Sequence, residues 1–223
     1  MREAFAGWGM PQRIRVDNGF PWGSTGDFPT DFSLWIIGLG IDMIWNPPRQ
    51  PQKNGVVERS QGTGKRWAEP SQCQSAEQLQ QQIDEMDSLQ REDYPQAEQK
   101  SRMELFPQLQ HSGRAYDAAT ETWQWQRAAD HLSQYCARRR VDRAGVVWLY
   151  NRRHYVGSKY RGMTIHASFD PVACEWIFRD EQGTELRSRI AEELTEANIL
   201  ALQVTGEHGK TQTSDSAAKP HVR

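Results

Sequence analysis

Cysteine, long apolar runs and a strong net charge are all scarce in this chain, and each scarcity narrows what it can be. Its 223 residues include three cysteines, Cys73, Cys136 and Cys174. Their odd number and wide spacing exclude a disulfide framework and any Cys-rich metal knuckle, which points to a reducing, cytoplasmic setting. No segment offers the roughly 20 apolar residues that span a bilayer. Residues 1–10 include Arg2 and Glu3 and lack the apolar run of a secretory signal. The formal net charge is −2, so any surface for polyanions has to be local.

Such a local surface exists. Residues 127–161 carry nine basic and two acidic groups, whereas 68–100 carry two and eight, and 162–202 three and eight. The basic block is therefore where phosphate contacts are expected. Within it Arg138, Arg139, Arg140, Arg143, Arg152, Arg153, Lys159 and Arg161 interleave with Trp148, Tyr150, Tyr155 and Tyr160, the pattern of a nucleic-acid surface.

Two carboxylates organise the first third of the chain. Ile14 and Val16 alternate with arginines as in a strand, and Asn18-Gly19 supplies a turn, so Asp17 falls at a strand end. Glu58 comes 41 positions later. It follows a proline-rich entry that forbids helix and opens a proline-free stretch up to Pro70, which places it in the first turns of a helix. Between them the sequence predicts a buried helix through Trp35 and Leu39, capped by Asp31, and a short strand Asp42–Trp45. Strand, helix, strand, loop, helix is an α/β order. Two carboxylates brought together from a strand tip and a helix suit a hard cation such as Mg²⁺. Lys65, seven residues after Glu58, shares its helix face and is a candidate phosphate contact.

The blocks Gly9-Met10-Pro11-Gln12-Arg13-Ile14-Arg15-Val16-Asp17-Asn18-Gly19 and Pro48-Arg49-Gln50-Pro51-Gln52-Lys53-Asn54-Gly55-Val56-Val57-Glu58-Arg59 resemble the second half of the catalytic core of DDE transposases and retroviral-type integrases. That resemblance implies a partial RNase H-like fold over residues 1–70. It makes Asp17 and Glu58 catalytic ligands of Mg²⁺ or Mn²⁺, the second and third members of an Asp, Asp, Glu triad. The first Asp of that triad belongs on a strand many tens of residues upstream, and only sixteen residues precede Asp17. An amino-terminally truncated core is therefore implied, with Asp27, Asp31 and Asp42 having no reason to converge on the pair.

Downstream, a helical linker is expected over 71–140. It begins with one acidic amphipathic helix between Ala68 and Lys100, on Leu79, Ile83, Met86 and Leu89, and ends with a helix Thr122–Arg140. Short strands separated by Gly, Asn and Asp turns follow, then a closing helix Ala191–Leu202 and a polar, disordered tail 205–223. The strand region 141–204 resembles the SH3-like barrel that accompanies the core in Mu-type transposases and contacts DNA. The expected fold class is thus α/β plus small all-β. The resemblance implies metal-dependent phosphodiester strand transfer, with double-stranded DNA and full-length transposase or a second copy as partners, and no membrane. A DNA-binding remnant or regulator without chemistry is the alternative, and an acid/base hydrolase on Asp17 and Glu58 fits the basic block poorly.

Overall fold

The computed structural model describes residues 1–23, 27–107, 110–117 and 123–202; the expected tail 205–223 lies outside them. Helix α1 (Arg2–Trp8) leads to strand β1 (Arg13–Val16). Strand β2 (Asp42–Trp45) runs parallel to β1, with Arg13 opposite Asp42 and Val16 opposite Trp45. A parallel pair needs a crossover, and helix α2 (Asp31–Gly38) provides it. Its Leu34, Trp35, Ile36 and Ile37 are all buried, as a helix apolar on every side must be. Thr30, not Asp31, caps α2: the Thr30 hydroxyl accepts from the Ser33 amide at 3.2 Å, and Asp31 is the first helical residue. A β-branched hydroxyl one position earlier satisfies the same orphan amide.

Helix α3 (Gly55–Trp67) carries Glu58 and packs on α4 (Ala76–Ser88), where Leu79, Ile83 and Met86 are half-buried. The single helix expected over 68–100 is instead shorter. Ser75 caps its start, accepting from the Gln78 amide at 3.2 Å, and a π-helical turn, Leu89–Asp93, ends it. Helix α5 (Arg102–Leu105) opens with a capping box between Ser101 and Glu104.

The helix expected over Thr122–Arg140 also divides. Helix α6 (Trp125–Ser133) buries Ala128, Ala129 and Leu132, and Cys136–Arg140 is strand β3. Three consecutive arginines mask a period of two: Ala137 is buried, while Cys136, Arg138 and Arg140 point to the other face. Strand β6 (Thr164–Asp170) pairs antiparallel with β3 and continues through β7 (Glu175–Arg179) to β8 (Glu185–Ile190), giving the order β3-β6-β7-β8. Strands β4 (Val146–Leu149) and β5 (Arg152–Tyr155) form a separate hairpin. Its two turn residues, Tyr150 and Asn151, both have positive φ, as a type I′ turn demands. The uncommon tyrosine is held there by its hydroxyl, which donates to Pro29 O, and by ring contacts with Phe28 and Trp176. Helix α7 (Glu196–Leu200) is shorter than the closing helix expected.

The molecule is thus mixed α/β with added antiparallel sheet, and one apolar cluster runs from Phe5 through α2 and α6 to Trp176, Phe178 and Ile199. No helix among the described residues is long and apolar enough to cross a membrane. The joint between α2 and α6 is tight: the Trp123 indole donates to Trp35 O at 3.0 Å, and a Cβ at Gly38 would meet that indole nitrogen at 2.1 Å. Gly38→Ala, which would stabilise an open helix by roughly 1 kcal/mol, is therefore expected to destabilise this protein by about 1–3 kcal/mol of overpacking, measured by urea unfolding.

Candidate metal-ligand pair and basic groove

Parallel pairing leaves the carboxyl ends of β1 and β2 at one edge, and Asp17 follows directly there. The Asn46 amide extends the ladder, donating to Val16 O at 2.8 Å. The Asn18 side chain donates to Asn46 O at 2.6 Å, and the buried Asn46 side chain donates to Asn54 Oδ1. Asn54 is the residue before α3, so Glu58 stands one turn, about 6 Å, along the helix from it. Three asparagines thereby fasten the strand tip that bears Asp17 to the start of the helix that bears Glu58. Both carboxylates are exposed, and among the described residues neither has an ion-pair partner.

The third carboxylate of a triad does not come from the aspartates nearby. Asp42 starts β2, at the opposite end of the ladder from Asp17, and pairs with Arg13 at 3.3 Å. Asp27 pairs with Arg139 at 2.6 Å, and Asp31 lies at the amino end of α2. No group of three or more His, Cys, Asp or Glu able to hold a metal occurs among the described residues. Asp17 and Glu58 supply hard oxygen ligands of the kind Mg²⁺ takes, but as a pair they do not make up a three-acid site, and no catalytic step follows from them alone.

The basic residues fall on several surfaces. Arg139 faces the core side of β3, held by Asp27 and lying 5.7 Å from the Phe28 ring, so it joins two parts of the chain instead of facing solvent. Arg138 and Arg140 point outward with His166, and Arg138 reaches Glu181 at 3.4 Å. Lys65 is exposed in the last turn of α3, on a different element. Among the described residues Lys65, Arg140, Arg143, Arg152, Arg153, Lys159 and Arg161 have no ion-pair partner. On the β4–β5 hairpin, Arg153 lies opposite Trp148, its guanidinium 5.9 Å from the indole.

Strand β8 adds two cations that lie outside the basic block of the sequence. Arg189 Nε donates to Tyr155 O at 3.1 Å, and the Arg187 guanidinium sits 6.0 Å from the Tyr155 ring. Trp148, Arg152, Arg153, Tyr155, Arg189 and Ile190 line a groove of about 590 Å³, with His154, Glu193 and the exposed Glu192 also on its wall. Leu186, Ser188 and Ile190 alternating with Arg187 and Arg189 after the Asp180–Gly183 turn is the signal that could have found them; the acidic balance of residues 162–202 conceals it.

Beneath the groove lies a buried polar cluster. His154 Nε2 is 3.1 Å from Glu193 Oε1, to which the Trp176 indole also donates at 2.7 Å. Burial pushes the Glu193 carboxyl up, but the adjacent His154 ring, a backbone amide and the Trp176 indole outweigh it and hold the group below the ordinary range. Asp31 has the opposite fate: burial raises it, the Glu193 charge raises it further, and its Oδ1 is buried with no hydrogen-bond partner among the described residues. The Tyr150 phenol is pushed well up by burial, then by Asp31, Asp27 and Glu193.

Compared with known protein families, the sequence matches none of their models.

The cluster sets a pH dependence. Because Asp31 is raised in the folded state, the stability it allows when protonated is lost as pH rises through its folded value. Asp31→Asn is therefore expected to melt higher than the parent at neutral pH, with the difference closing as pH falls through the ordinary carboxylate range. Glu193, being depressed, contributes stability above its unfolded value and loses it as pH falls. Melting curves of Asp31→Asn and parent across that range check the sign.

Proposed function

We propose that this chain is the carboxy-terminal part of a DDE-type transposase or integrase, with a partial RNase H-like core and an SH3-like DNA-contacting region. In this proposal Asp17 and Glu58 are two ligands for Mg²⁺ or Mn²⁺, and the remaining carboxylate comes from outside the described residues. The observation that carries the reading is the asparagine tie through Asn46, which fastens the Asp17 strand tip to the start of the Glu58 helix. The metal would supply charge neutralisation and alignment of phosphate oxygens. The chain's own part is to present the two carboxylates and to hold duplex DNA through cations that spend no charge on internal ion pairs.

A second reading, a DNA-binding module without chemistry, is favoured by the lack of a third acid beside the pair among the described residues. Both readings require duplex binding, and they part on catalysis.

Two measurements test this. Duplex affinity, followed by fluorescence anisotropy, is expected to fall steeply with salt. Changing Arg152, Arg153, Arg187 and Arg189 to Gln is expected to lower the slope of log K against log salt by about 3–4, near one for each phosphate no longer neutralised; an unchanged slope would remove the groove from the DNA surface. Incubated alone with Mg²⁺ or Mn²⁺ and DNA ends, the chain is expected to give no strand transfer. Joining that vanished in Asp17→Ala would show that the pair needs nothing further.

A further inference from the structure

The π turn Leu89–Asp93 inverts the burial its sequence calls for. Leu89 is 46% exposed while Gln90 is 7% exposed, because Gln90, four residues after Met86, takes the inward position. Gln90 Nε2 is buried without a hydrogen-bond partner among the described residues, a costly state for an amide. A glutamine amide turns readily about its last torsion, so a ligand offering an acceptor nearby would relieve it. Turns of this kind concentrate at functional sites.

Gln90 forms part of the wall of a pocket of about 440 Å³ between α3, the π turn and α5. Arg59, Thr63 and Trp67 come from one face of α3, Tyr94 follows the π turn, and Arg102 begins α5. The Trp67 and Tyr94 rings meet edge to face at 5.4 Å, and both remain more than a third exposed. No carboxylate lines the pocket, and among the described residues neither Arg59 nor Arg102 has an ion-pair partner.

Two partly exposed aromatic rings, an amide without a partner among the described residues and two guanidiniums without ion pairs there are complementary to a nucleotide. A base stacks on the indole or phenol, its edge meets the amide, and its phosphate meets the guanidiniums. The volume is of the size that holds one small ligand. We propose that this pocket takes a single unpaired nucleotide of a DNA strand. The proposal rests on the DNA reading above and adds to it a preference for an unpaired end.

The test compares a blunt duplex with the same duplex carrying a short single-stranded overhang that contains 2-aminopurine, at one salt concentration. The overhang is expected to bind about tenfold tighter and its fluorescence to be quenched, as for one stacked base. Gln90→Met and, independently, Arg102→Gln are each expected to abolish most of that gain while leaving blunt-duplex affinity and the melting temperature close to the parent's. Equal binding of the two DNAs by the parent, or a gain that survives both substitutions, overturns the pocket alone. Failure to bind either DNA overturns the DNA reading on which it rests.

Discussion

Helix α2 has no polar face between Leu34 and Ile37, so it has to be covered from every side, and the molecule is arranged around that need. Strand β2 and helices α6 and α7 all pack against it. Each of its four large side chains gains ~2 kcal/mol from burial, which is enough to draw the first and last thirds of the described chain into one core. The Trp123 indole over Gly38, Arg139 reaching Asp27, and the Tyr150 hydroxyl on Pro29 all depend on that core bringing distant segments together. The candidate functional edges lie where the core ends: the carboxyl ends of β1 and β2, and the outer faces of the hairpin and β8.

How much of this can be read from the sequence depends on how local the cause is. Strands β1 and β2 are legible to the residue, because alternation and flanking turns determine a short strand within its own window. The start of α3 is legible from proline chemistry. The cap of α2 falls one residue earlier than expected, since Thr30 and Asp31 have similar capping ability and only geometry chooses between them. Arg138–Arg140 mislead because three identical residues carry no periodicity; the pairing with Thr164–Ser168 that makes them a strand lies more than twenty residues away. The π turn after α4 has the same origin, as nothing in Ser88-Leu89-Gln90 announces that the glutamine and not the leucine turns inward.

The site is legible in its parts and not in its connection. Asp17, Glu58 and the basic block stand out by residue type, but Asn46 is an ordinary loop asparagine in the sequence and becomes the link only when both ends of its hydrogen bonding are seen. Arg187 and Arg189 are outnumbered in their own stretch of sequence by acidic residues, among them Glu185, Glu192 and Glu193, so counting charge along the chain does not single them out. A buried polar residue whose backbone and side chain both bridge distant segments, as those of Asn46 do, signals that a connection matters; Gln90, whose buried Nε2 has no partner among the described residues, is the group that the proposed nucleotide would engage.

In the proposed function Asp17 and Glu58 act as one metal-binding pair through the Asn46 tie. Mn²⁺ titrated calorimetrically into the complex of this chain with duplex DNA tests it, using Asp17→Asn, Glu58→Gln and the double variant. The expected result is a saturable site lost equally in each single variant, with no further loss in the double, because two ligands of one ion are not additive. Independent, additive losses, or Mn²⁺ binding untouched by either change, would show that the two carboxylates do not share an ion.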